Sequence, residues 1–120
     1  MRFLLVLLLL GASDVAFAGY DLHITRRAEW ADTGPPRISY AEWLRYVKTD
    51  RQVVLDSQDD KNFFVVTVQG QRYPLLFDPP RGELYTKDPT PPLIEKLEVI
   101  AVALHARVQG DDGEFYTPKP

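Results

Sequence analysis

The sequence predicts an α+β fold, in which two helices pack as one layer on a mostly antiparallel sheet of about five strands, in the order β-α-β-β-β-β-α-β. Three observations predict it. Leu93, Leu97, Ile100, Ala101 and Leu104 recur at helical spacing and form one apolar stripe that needs a sheet to cover. Ser39 and Glu42 form an S-x-x-E capping box and Ile38 and Trp43 a hydrophobic staple, so another helix begins at Tyr40. Between these helices the apolar runs are short, rich in β-branched and aromatic residues, and separated by tight turns. No βαβ unit repeats, so hairpins dominate.

The elements follow in order. Tyr20 to Thr25 alternates apolar and polar residues, which points Tyr20, Leu22 and Ile24 toward the core. Arg26 to Arg37 is a loop with Trp30, Gly34, Pro35 and Pro36. The first helix buries Tyr40, Trp43, Leu44 and Val47 and ends by Asp50. Val53 to Leu55 is a short apolar run, and Asp56 to Asn62 a polar turn. Phe63 to Val68 is apolar enough on both faces to predict a central strand that includes the core residues Phe64, Val66 and Val68. Gln69-Gly70 is a hairpin turn. Pro74 pushes the strand from Gln71 to Phe77 toward an edge or a bulge, because proline cannot donate to a ladder. Glu83 to Lys87 is a further strand. Thr90 can then cap the second helix, whose first turn holds Pro91 and Pro92 and whose end lies near His105. Ala106 to Gln109 and Glu114 to Tyr116 flank the turn Gly110-Asp111-Asp112-Gly113.

Met1 to Ala18 carries a basic residue, a Leu-rich apolar run and a terminal Ala16-Phe17-Ala18. This pattern predicts a cleaved secretory signal peptide over residues 1–18, too short to span a bilayer. It leaves one domain over residues 19–117 and a frayed tail at residues 118–120, in the periplasm or secreted. The net charge of −3, with both signs interspersed, argues against nucleic acid and against an anionic membrane surface as partners. With no cysteine, the exported domain relies on its core alone.

Catalytic and metal-binding signals are sparse, and the expectation is a non-enzyme with no cofactor and no metal. The three serines are Ser13 in the leader, Ser39 as a cap and Ser57 in a turn. No nucleophile elbow, phosphate loop or cysteine nucleophile occurs. His23 and His105 are the only histidines, and two ligands do not close a zinc site. His105 fits a helix C-terminus, where imidazolium favours the dipole and a left-handed turn is tolerated. The acidic residues of Asp56 to Asn62 lack the register of a calcium loop, and Asp111, Asp112 and Glu114 lie in a glycine-flanked hairpin turn. A protein partner is the expectation that remains, with Arg26, Arg27, Trp30 and Arg37 as candidate contacts, since Trp and Arg dominate interface energetics.

The stretches Tyr20-Asp21-Leu22-His23-Ile24-Thr25-Arg26, Trp30, Ile38-Ser39, Glu42-Trp43-Leu44 and Tyr46-Val47, together with Ala106-Arg107-Val108, Gly110 to Glu114 and Tyr116, resemble a group of small bacterial proteins. Their pattern is YDLxITR, a following Trp, ISxxEWLxYV and a C-terminal ARVxGDDGExY. No activity is assigned to that group, so the resemblance implies no catalytic residue. His105 stands where the group commonly has glycine. Small acidic α+β proteins also include immunity proteins that neutralise toxins or hydrolases, which makes a periplasmic inhibitor one alternative reading by analogy, and a small enzyme or metal-dependent factor with an unrecognised site is the other.

Overall fold

The computed structural model describes residues 19–56 and 59–117. The expected leader, the expected frayed tail and Ser57 lie outside the described residues. The elements are β1 (Asp21–Thr25), α1 (Tyr40–Val47), β2 (Val53–Leu55), β3 (Phe63–Val68), β4 (Gln71–Asp78), β5 (Glu83–Lys87), α2 (Pro91–Ala103), β6 (Arg107–Gly110) and β7 (Phe115–Tyr116). Seven strands form one open antiparallel sheet, ordered β2-β3-β4-β5-β1-β6-β7. The count exceeds the expected five because short strands, β2 with three residues and β7 with two, close the two edges.

The inner face carries the core. Leu22, Ile24, Val53, Phe64, Val66, Leu75, Phe77, Leu84 and Val108 point from the sheet into one cluster with Trp43 of α1 and with Leu93, Leu97, Ile100, Ala101 and Leu104 at and beside α2. Tyr20, Leu44, Val47 and Val68 pack half-buried at the rim of this cluster rather than inside it. Trp43 meets Phe64 edge-on at 5.2 Å and is fully buried, an arrangement that adds to its area burial. The capping box forms as its spacing predicts. Glu42 N donates to Ser39 Oγ at 3.0 Å and Ser39 N to Glu42 Oε1 at 3.0 Å.

α2 begins differently from expectation. Thr90 occupies the N-cap position but makes no side-chain cap bond, and its hydroxyl donates to the Tyr73 hydroxyl at 2.9 Å. Proline at N1 and N2 has removed one of the amides that a cap would serve. At the other end His105 takes φ 54°, with Ala106 N donating to Ala101 O at 2.8 Å and His105 N to Val102 O at 3.1 Å. That is a Schellman closure with histidine at the left-handed position.

Two strand placements correct the sequence reading. β3 is next to the edge, and the centre of the sheet is β5 and β1, whose outward residues include the buried polar side chains His23, Thr25 and Glu83. β4 is internal despite Pro74. Its ladder with β5 covers only Leu76 to Asp78, so Pro74 needs no donor on that side, and the Thr86 hydroxyl donates to the Pro74 carbonyl at 2.6 Å.

Candidate functional site

Strand alternation sends the odd-numbered residues of β1 to the outer face of the sheet. There the register aligns a row across the strands: Phe63, Leu76, Tyr85, His23, Gln109 and Phe115. The two halves of this row have opposite chemistry.

Over β5, β1 and β6 the loop from residue 26 to residue 37 lies on the sheet and covers a charged network. His23 is 6% exposed, and the Trp30 ring stacks on it at 3.8 Å and 6°. His23 Nδ1 is 3.4 Å from Glu83 Oε1, and Nε2 is 2.9 Å from Asp111 Oδ1. Glu83, only 1% exposed, also accepts from Arg27 Nη1 at 2.8 Å and faces Arg81 Nε at 3.5 Å. Arg27 is itself buried. It also donates to Gly34 O at 2.7 Å and to Arg81 O. The Arg81 guanidinium lies 5.6 Å from the Trp30 ring and donates to the carbonyls of Trp30 and Asp32. Gln109, fully buried, accepts from Trp30 N at 2.6 Å and donates to Gly113 O at 2.9 Å and Glu29 Oε2 at 3.2 Å. Every charge taken from water here meets an opposite charge or a hydrogen-bond partner, as burial of charge requires.

Burial alone would depress the His23 pKa. The hydrogen bonds and charges of Glu83 and Asp111 outweigh it and raise the pKa above the ordinary imidazole value. For Asp111, burial pushes the pKa up, but the bond to His23 and the backbone amide of Asp21 bring it below the usual carboxylate range.

Of the residues expected to touch a partner, Arg27 lies buried beneath the loop. A guanidinium 3% exposed and paired with Glu83 has no face to offer. Arg26, the next residue along, points to the helical layer. Its guanidinium pairs with both Glu42 oxygens at 2.8 and 3.1 Å and donates to Leu104 O, which joins the start of α1 to the end of α2. Trp30 is half-buried against His23, and Arg37 is exposed. Arg26 also lines a hollow of about 400 Å³, together with Glu42, Arg45, Tyr46 and His105. His105 is exposed there and takes no part in the His23 network.

Over β2, β3, β4 and the middle of β5 a group of adjoining outward side chains is apolar. Val54 pairs with Val65 and Val65 with Pro74; Phe63 pairs with Leu76 and Leu76 with Tyr85. Val54 is 47% exposed and Pro74 is exposed, while Phe63, Leu76 and Tyr85 are half-buried. Val65 is buried, yet lies outside the core cluster because it faces the other way. Phe63, Val65 and Pro74 form the floor of a shallow hollow whose rim carries the Arg72 to Asp56 ion pair at 3.0 Å.

Comparison with family models, curated proteins and solved structures finds no match for this chain. The apolar half-face could have been read from the density of apolar residues in Phe63 to Val68 and Leu75 to Phe77. The His23 network could not, because its members come from β1, the following loop, β5 and the β6–β7 turn, and no local spacing links them.

Proposed function

We propose that the protein is an exported, non-catalytic protein-binding domain, and that its contact surface is centred on the apolar half of the outer sheet face. One observation carries this reading. Six apolar side chains, Val54, Phe63, Val65, Pro74, Leu76 and Tyr85, adjoin one another on an outward face of the sheet, and most of them keep solvent exposure. Four adjacent strands make this patch roughly 15 Å across. That suits the central cluster of an interface, with Arg72, Asp56 and Lys87 as its polar rim. The expected partner is a protein that brings complementary apolar side chains to this face. It also meets β2, which among the described residues is an edge strand paired with β3 alone.

The leader-like pattern of residues 1–18 supports an encounter in the periplasm or outside the cell. The reading also accommodates the outer-face chemistry. Both ring nitrogens of His23 lie against carboxylates and its face lies against Trp30, so it holds the fold rather than a substrate.

The test is capture of the partner from the exported fraction with the wild-type chain and with two variants shown by circular dichroism to stay folded. Val54→Asp should lower one-to-one recovery at least tenfold, whereas Ala28→Asp, in the covering loop, should leave it unchanged. Equal recovery with Val54→Asp, or dependence on the loop alone, would remove the apolar half-face from the proposal.

A further inference from the structure

Asp21, His23 and Asp111 offer three ligand atoms that all lie within 4.8 Å of one another. Asp21 and His23 are two apart on β1 and share its outer side, while Asp111 reaches them from the β6–β7 turn. We infer that these three side chains form a binding site for a first-row divalent cation of the zinc type, which ties the start of the first strand to the C-terminal turn.

Three features of the site support this beyond proximity. The first is the support behind the histidine. A ligating imidazole ordinarily gives its other nitrogen to a carboxylate, which fixes the ring and the tautomer. Here Glu83 faces Nδ1 at 3.4 Å, is fixed by Arg27 at 2.8 Å and is fully buried, so Nε2 is the nitrogen left facing Asp21 and Asp111. Trp30, stacked on the ring, fixes its plane.

The second feature is charge. In the cation-free form Asp111 meets the imidazole at 2.9 Å, and Asp21 meets the Lys87 ammonium at 3.4 Å. The Nε2 proton and the Lys87 charge together match one divalent ion. Lys87 is exposed and free to swing into solvent, and the imidazole proton leaves as metal enters, as metal ligation requires.

The third is geometry and donor type. Zinc bonds of ~2.0–2.1 Å in a tetrahedron hold neighbouring ligand atoms ~3.3 Å apart. The pair now at 2.9 Å must open slightly and the widest separation must close by at most about 1.5 Å, a change that side-chain rotation at Asp21 and Asp111 supplies. One imidazole nitrogen with two carboxylates favours zinc, cobalt or manganese over calcium or magnesium, which take oxygen ligands. Three protein ligands leave a position for water. This inference does not depend on the protein-binding proposal.

The experiment is calorimetric titration of the purified full chain with Zn²⁺, and with Ca²⁺ and Mg²⁺ as controls, alongside the absorption spectrum with Co²⁺. One site is expected for Zn²⁺ and none for Ca²⁺ or Mg²⁺, and Co²⁺ should give the visible bands of a four-coordinate ion. Asp21→Asn and Asp111→Asn should each weaken Zn²⁺ binding at least tenfold, and His105→Ala should not change it. His23→Gln should abolish binding. If that variant does not fold, the two Asn variants decide the matter. No Zn²⁺ binding up to millimolar concentration, unchanged affinity in both Asn variants, or loss of the site in His105→Ala would each overturn the inference.

Discussion

One face of one sheet is built in two ways. Over β5, β1 and β6 its outward residues are His23, Glu83, Gln109 and their partners, polar and buried under the loop of residues 26 to 37. Over β2, β3 and β4 it carries the adjoining apolar residues Val54, Phe63, Val65, Pro74 and Leu76, most of them partly exposed. This inverts the ordinary arrangement in which the solvated side of a sheet is polar. The difference shows what each half is specified against. The covered half has its partners within the chain, down to the two opposed carboxylates of a single imidazole. The apolar half has side chains suited to burial, and the proposed partner would complete it.

The comparison can be broken most strongly at Glu83. Glu83→Ala leaves the buried Arg27 without its countercharge and should cost ~3–5 kcal/mol, a large share of the ~5–15 kcal/mol of a domain this size. Urea denaturation checks it. A loss below about 1 kcal/mol would mean that the carbonyls of Gly34 and Arg81 satisfy Arg27 without Glu83.

Gly82 joins the covering segment to the sheet, and its replacement should come next in effect. Its φ is 64°, and an added Cβ would sit 2.4 Å from Arg37 Cβ while Ile38 N donates to Gly82 O. Gly82→Ala should cost about 2 kcal/mol, from left-handed backbone and from displacement of the chain at Arg37. A thermal melt unchanged from wild type would show that this junction is soft.

Arg26 and Arg27 are adjacent in sequence and opposite in placement, which sharpens the contrast between exposed and buried pairs. Glu42, the partner of Arg26, is partly exposed, so Glu42→Gln should cost only ~1 kcal/mol or less at neutral pH. The hydrogen bond from Arg26, followed by the amide of Ser39, lowers the Glu42 pKa from 4.5 to about 2. A carboxyl depressed on folding stabilises above its unfolded pKa, and the contribution fades as pH falls toward the folded value. The stability gap between wild type and Glu42→Gln should therefore close between pH 4.5 and about 2. A gap that widened on acidification would contradict the pairing.

The smallest effect belongs to the apolar half. Val54→Thr keeps β-branching at an exposed edge position and should change stability by no more than ~0.5 kcal/mol. A larger loss would mean that this half is supported from within the chain after all.

The sequence spoke clearly where neighbouring residues determine structure. Ser39 and Glu42 set the start of α1, the stripe from Leu93 to Leu104 set the buried face of α2, and Gln69-Gly70 set a hairpin whose two residues both take positive φ. It was opaque where burial depends on what lies above. β1 read as a half-exposed strand because Asp21, His23 and Thr25 alternate with its apolar residues, and β3 read as central because both of its faces are rich in apolar residues. Both misplacements have one cause. The loop that covers one half of the face, and not the other, is defined by long-range bonds such as Trp30 N to Gln109 that no periodicity records.

The most direct measurement places a photo-crosslinking side chain at Val54, at Pro74 and at Ala28 and irradiates the living cells that export the protein. The account predicts a single dominant adduct with a different protein from Val54 and from Pro74, and none from Ala28. An adduct from Ala28 alone, an adduct only with a second copy of the chain, or no adduct from any position would contradict it.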